Sequence, residues 1–269
     1  MSEQKQSPLF TALSSVFPLI LILSIDFFAM FLQPQSKAIS HFAFGILIAQ
    51  LVSVLVFMKG QICPGQRERL SKVNWYFAVF WGMWFIISFF SNYHFILTDM
   101  MSLCGIAIVL ATWRQPQDNQ LRQSMLIIAG LMGILGSLCY LLIFIELSIS
   151  SFIQYNIFGQ GLVGIILANL ALVVSRNRLQ GLIALLPFFI LLLLFLNALS
   201  GLVLLMYLSN TVTFANQLAW ILYFCLHLLI ALIIAVHIFK QWKLSYNTLA
   251  ILLLIVTSLP VWASFAFIH

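Results

Sequence analysis

Apolar residues run in nine long blocks along this chain, and polar residues gather in the short gaps between them. The blocks are continuous rather than alternating, so each predicts a helix and not a strand of a barrel. A helix needs about 20 such residues to cross the roughly 30 Å hydrocarbon layer of a bilayer. The predicted spans are Leu9–Leu32, Ile39–Met58, Val73–Phe90, Phe95–Trp113, Met125–Leu147, Phe158–Val174, Gly181–Leu208, Leu218–Phe239 and Thr248–Phe267. The expected fold class is an all-α, polytopic transmembrane helix bundle of about nine spans, one integral membrane domain over residues 1–269. The first span is too long for a signal-peptide core, contains Asp26 and is followed by no small-residue cleavage site, so it reads as retained. The seventh would measure about 42 Å as a straight helix, so it must tilt, kink or overhang, and Pro187 or Gly201 can assist.

Charge then orients the bundle. With the N-terminus in the cytoplasm and the C-terminus outside, the cytoplasmic segments collect Lys5, Lys59, Arg67, Arg69, Lys72, Arg114, Arg122, Arg176, Arg178, Lys240 and Lys243. The opposite side holds only Lys37, which is the positive-inside pattern. The net charge of +6 is accounted for by these loops and needs no nucleic acid. Trp75, Trp113 and Trp242 fall at cytoplasmic span ends and Trp220 at an outer one, where interfacial anchors belong. Composition agrees: 63% of residues are hydrophobic and 7% charged, against roughly a quarter charged in a soluble domain. The expected partner is the lipid bilayer, and the expected location the bacterial cytoplasmic (inner) membrane.

The few ionisable groups inside spans carry the chemistry. Of six acidic residues, Glu3, Glu68 and Asp118 lie in cytoplasmic segments, while Asp26, Asp99 and Glu146 belong to spans and all lie toward the outer face. Asp26 sits six residues before the outer end of its span, about 9 Å deep. His41 and His94 lie at a similar level, and His269 ends the chain there. Ionisable groups in spans are costly and mark functional sites, and a cluster at one depth suits proton exchange. Glu146, His41 and His94 also read as ordinary interfacial residues. Asp99 and Ser102 share a helix face that turns apolar at Ile106, which confines the polar patch to the outer turn. Nearer mid-membrane, Gln50, Asn169, Asn197 and His227 read as interhelical hydrogen-bonding residues or as a polar pathway. Gly133 with Ser137, and Gly164 with Ala168, are small-residue pairs that permit close helix packing.

Other chemistries find no support. There is no phosphate-binding loop and no His-Glu-x-x-His motif, and Cys63, Cys104, Cys139 and Cys225 form no paired motif, so no catalytic residue and no metal ligand is assigned. Haem would need two histidines at one depth on different helices. His227 and His237 share one helix about 15 Å apart, and His41 with His94 qualify by depth alone, so haem is not expected.

The opening Ser7-Pro8-Leu9-Phe10-Thr11 resembles the start of the membrane anchor subunits of dimethyl-sulfoxide-reductase-type enzymes. The closing run Ala250–Ile255, with Phe265 and His269, is similar to their last helix. The resemblance implies an almost wholly helical anchor that binds menaquinol near the outer face and passes electrons to a partner subunit without haem of its own. It covers only the chain ends. The family's His-Leu-Gly-x-Pro segment has no match, since Met58, Lys59 and Gly60 stand near its place. Leu70-Ser71 is followed by Lys72-Val73 where the family has a basic residue and then Glu, and the family usually has eight helices. No functional residue carries over from it.

Two main readings follow. In the first the chain is a quinol-interacting anchor subunit of a respiratory oxidoreductase, using menaquinone or ubiquinone and a soluble or peripheral redox partner. Asp26, Asp99 and His94 then accept hydrogen bonds and protons. In the second it is a small proton- or cation-coupled transporter with Asp26 or Asp99 as the coupling group, although the chain shows no repeat symmetry of the kind common in transporters. A membrane assembly or scaffold protein is a third option.

Overall fold

Each predicted apolar block folds as an α-helix in the computed structural model, which describes residues 8–32, 37–177, 179–208 and 216–266. Lys5, Ser7, Arg178 and His269 lie outside the described residues. The helices are α1 (Pro8–Phe31), α2 (Ala43–Lys59), α3 (Pro64–Trp75), α4 (Phe77–Phe90), α5 (Ile96–Trp113), α6 (Asn119–Glu146), α7 (Ile157–Val174), α8 (Gln180–Leu208), α9 (Gln217–Phe239) and α10 (Tyr246–Phe265). A short 3₁₀ turn, Ile149–Ile153, precedes α7. By length and composition, eight helical segments are able to cross a membrane, α3 and α4 counting as one, and α2 is a shorter apolar helix of 17 residues.

Two departures from the pattern matter. The connector before α4 is itself helical: Pro64 takes the first position of α3, and Cys63 with Gln66 forms a capping box there. Its polar face hid it from a search for apolar runs. This helix ties the cytoplasmic ends together, with Arg69 Nε donating to the Ser175 carbonyl at 3.0 Å and Arg67 Nη1 to Gln115 Oε1 at 2.9 Å. The second departure is the start of α2. Residues Ile39 to Phe42, read as the first turn of a helix, are non-helical although buried. Their backbone is held by side chains from elsewhere, as described below.

Polarity is inverted relative to a soluble protein. Leu228, Phe195 and Ile145 are 72%, 64% and 74% exposed, whereas Asp26 and His41 are 0% exposed. Apolar side chains face lipid, and polar ones turn inward to find partners. Among the tryptophans, Trp75 and Trp113 meet at the end expected to be cytoplasmic, with ring centroids 3.9 Å apart and planes tilted by 31°. Trp220 is no surface anchor; it is buried against Tyr223 and Phe224.

Close packing centres on α2 and α7. A Cβ on Gly45 would stand 2.7 Å from the Gln160 carbonyl oxygen, and one on Gly164 would stand 2.6 Å from the Gly45 carbonyl oxygen. Both contacts are backbone to backbone, so neither can be relieved by a side chain moving aside. Gly133 on α6 admits Leu51 of α2, and Gly105 on α5 admits the Trp81 indole of α4. The small-residue positions Gly133 and Gly164 thus act in packing, and Gly45 is the partner that the sequence pattern did not single out.

Gly45→Ala and Gly164→Ala are each expected to lower the thermal stability of the protein in mild detergent, at an overpacking cost of about 1–3 kcal/mol. Gly82→Ala, which meets open space within α4, is the control and is expected not to lower the melting temperature. A second expectation concerns orientation. Cys63 is exposed at the end of α2 predicted to be cytoplasmic, whereas Cys104 and Cys139 are buried. An impermeant maleimide should label Cys63 in inside-out vesicles and not in right-side-out ones; the reverse pattern would invert the topology.

Candidate functional site

The chain reaches α2 through a buried, non-helical segment, and a buried backbone outside a helix must find a partner for each amide. Ala38 donates its N–H to the Tyr93 carbonyl at 2.8 Å, and its own carbonyl accepts from Thr98 Oγ1 at 2.7 Å. The Ile39 carbonyl accepts from the Tyr155 hydroxyl at 3.5 Å. His41 N–H donates to Asp26 Oδ1 at 2.8 Å, Phe42 N–H to Ser40 Oγ at 3.0 Å, and Phe44 N–H to Gln160 Oε1 at 2.8 Å. The amino end of α2 is therefore capped by α1 through Asp26 and by α7 through Gln160.

That capping creates a buried carboxylate–histidine pair. Asp26 Oδ1 accepts from His41 Nδ1 at 3.0 Å as well as from the His41 amide, and Oδ2 accepts from Ser40 Oγ at 2.5 Å. With its hydrogen assigned to Nδ1 by the carboxylate, the imidazole keeps Nε2 for other work. That atom is buried and has no hydrogen-bond partner among the described residues. The ring stacks on Tyr155, with centroids 4.4 Å apart and planes 14° from parallel. Behind Tyr155, Tyr140 donates to the Tyr155 carbonyl at 2.6 Å and accepts from Gln160 Nε2.

Asp99 and Asp26 do not form one pair. Asp99 lies in the first turn of α5, where the helix dipole suits a carboxylate, and its Oδ2 meets His94 Nδ1 at 3.3 Å. His94 also contacts the Ser88 carbonyl at 3.2 Å. The pair is asymmetric in exposure: the His94 side chain is 41% exposed and that of Asp99 12%, while Asp99 Oδ1 is buried without a partner among the described residues. The Phe89 ring meets the imidazole edge-on at 6.0 Å, on an aromatic surface that includes the exposed Phe90. Glu146 belongs to neither pair; it is bonded to Lys37, and both side chains are exposed. Lys37 also lies 4.4 Å over the Phe95 ring. The interfacial reading of Glu146 fits this placement.

The mid-membrane candidates separate. Gln50 is spent on packing: its Nε2 donates to the Gly105 carbonyl at 3.1 Å and its Oε1 accepts from Trp81 Nε1 at 2.9 Å. His227 Nδ1 faces the Tyr223 carbonyl at 2.8 Å and Nε2 faces Asn197 Nδ2 at 2.8 Å, which assigns a neutral ring with its hydrogen on Nδ1. Asn197 Oδ1 is left buried without a partner, against the bare Cα of Gly159. Asn197 and His41 line one small cavity of about 10 Å³, the room that a single water's centre requires. Asn169 lies elsewhere, on the cytoplasmic side, with both amide atoms buried and unpartnered.

Tyr140, Tyr155, Gln160 and Tyr223 were not singled out from the sequence. In a chain that is 14% aromatic, nothing local marks the two tyrosines that support the histidine. Asp26→Ala removes the acceptor of three hydrogen bonds inside the protein. It is expected to cost about 3–5 kcal/mol, as breaking a buried pair does. Thermal unfolding in detergent reads that loss, and Glu146→Ala, at the exposed pair, should cost about 1 kcal/mol or less.

Comparison with known proteins adds the family and not the chemistry. A protein of Haemophilus influenzae, whose function is uncharacterised, is 46% identical over 267 residues, covering 98% of this chain and all of that one. No solved structure matches. Neither finding bears on the anchor-subunit resemblance, which stands on the chain ends alone. Residues 5–265 match a family described as an integral membrane domain, and the chain belongs to that family.

Proposed function

We propose that this multi-pass membrane protein is a quinol-handling subunit of a bacterial cytoplasmic-membrane oxidoreductase, with its site at the outer face. The observation that carries this reading is the His94–Asp99 pair: a half-exposed imidazole on an aromatic lipid-facing surface, backed by a carboxylate with one unpartnered oxygen. A quinol arriving from the bilayer has two hydroxyl groups to donate. On oxidation both O–H bonds break, two electrons pass to a redox centre in a partner subunit, and two protons must leave. His94 would accept the first hydroxyl, and Asp99 would take up or relay its proton to the nearby outer surface. Menaquinone and ubiquinone both suit this chemistry. The Asp26–His41 cavity is too small for a quinone ring, so in this reading that pair supports the entry to α2 and stores or relays protons.

One observation favours a second reading. His41, which is bonded to Asp26, and Asn197 line one small cavity together with residues of α7, α9 and α10, an arrangement that suits proton-coupled transport. Under that reading Asp26→Asn, rather than Asp99→Asn, abolishes proton-linked flux in vesicles.

Purification from native membranes in mild detergent, followed by quinone extraction and mass spectrometry of bound proteins, tests the proposal. A bound quinone and a redox partner are expected. Asp99→Asn is expected to lower quinol turnover of that assembly by about tenfold or more, the scale of one lost proton acceptor, while His227→Gln leaves it unchanged. Purification without quinone or redox partner, or full turnover in Asp99→Asn, sinks the reading.

A further inference from the structure

A crevice of about 930 Å³ lies on the cytoplasmic side, between the end of α7, the start of α8, the end of α9 and the turn that leads from α9 to α10. That volume is within the roughly 300–1,000 Å³ typical of ligand sites. Its origin is the way α8 and α9 meet. They are joined in their outer halves, where Asn197 contacts Tyr223 and His227 and where Gly201 makes room for the Tyr223 ring. Toward the cytoplasm the same helices form opposite walls, with Ile183 and Pro187 on one and His237 and Ile238 on the other.

Two independent features say what should fill it. The first is polar. Asn169 is 1% exposed, lines the crevice about 7.5 Å inside the end of α7, and has no partner among the described residues for its carboxamide oxygen or nitrogen. Asn177, 5% exposed, lines it too, with its Oδ1 unpartnered. Unpaired amides away from water are strongly disfavoured, so the occupant brings both hydrogen-bond donors and acceptors to that depth. The second is charge. Lys243 and His237 lie in the lining, and among the described residues no carboxylate does. A free phosphate has no use for the apolar wall of Ile183, Pro187 and Phe188, and a neutral quinone has no use for the cation.

We propose that this crevice is a binding site for one anionic glycerophospholipid of the cytoplasmic leaflet. The phosphate pairs with Lys243 and His237, as basic pockets between cytoplasmic helix ends pair with lipid headgroups. An ester carbonyl accepts from Asn169 Nδ2, a headgroup hydroxyl donates to Asn177 Oδ1, and an acyl chain follows Pro187 and Phe188. The site is remote from the outer-face pairs and stands whether or not the protein handles quinol.

The test uses the full chain, stripped of lipid in detergent, with phosphatidylglycerol or phosphatidylcholine added back. Native mass spectrometry counts retained lipid, and thermal unfolding reads its effect. One phosphatidylglycerol per chain is expected, and it raises the melting temperature where phosphatidylcholine does not. Lys243→Gln and Asn169→Leu should each weaken retention by about tenfold or more, the scale of a lost charge-assisted or buried hydrogen bond. Lys37→Gln, on the outer side, should leave it unchanged. Lys243 is exposed, so its variant tests the site even if Asn169→Leu does not fold. Equal stabilisation by the two lipids, unchanged retention in Lys243→Gln, or recovery of a quinone from the crevice overturns the proposal.

Discussion

The amino end of α2 governs how the rest of this bundle is assembled. At 17 residues the helix is about 25 Å long, shorter than the roughly 30 Å hydrocarbon layer. The chain therefore enters it through a buried segment whose backbone has neither water nor a helix to satisfy it. Several kcal/mol attach to each amide left unpaired in such surroundings. The remedy draws in Asp26 from α1, Gln160 from α7, Thr98 from α5 and the carbonyl of Tyr93 from the turn between α4 and α5. Once these partners are fixed, the contact between Gly45 and Gly164 is fixed as well, since Gln160 lies one helical turn from Gly164.

The same requirement explains why the ionisable groups are arranged as they are. Asp26 is inside the protein because its oxygens complete the α2 entry, and His41 is inside because its amide and ring both answer that carboxylate. Structure and chemistry are thus not separable at this pair. Asp99 and His94 are different: their backbone is an ordinary helix start and turn, and the His94 side chain is open to whatever approaches, with the buried Asp99 behind it. An enclosed pair suits storing or passing a proton, and a half-open pair suits meeting a substrate.

Much of the fold was legible because lipid imposes one rule on nearly every residue of a span. The apolar runs marked nine of the helices, with the start of α6 six residues earlier than expected, and the basic gaps predict their orientation. The rule fails where apolarity and helicity part company. Residues 39–42, Ile-Ser-His-Phe, continue an apolar block and are buried yet are not helical, and α3 is helical yet polar. Depth along the chain brought Asp26, Asp99, His41 and His94 to one level, but level does not determine neighbours. That Asp26 takes His41 while Asp99 takes His94 follows from packing, which no single-sequence pattern encodes. Glu146 was legible only as a carboxylate at a span end, and its partner Lys37, the lone outer cation of the sequence, only as a charge.

The cap on α2 also ties the protein's maturation to the order of its synthesis. Phe44 and Gln160, which share a hydrogen bond, are separated by 116 residues. At roughly 5–20 residues per second, a ribosome needs about 6–23 s to make that interval. Until α7 enters the membrane, the start of α2 lacks one of its acceptors and the face bearing Gly45 lacks its neighbour. The first six helices therefore wait, with the entry to α2 incompletely bonded, for the seventh.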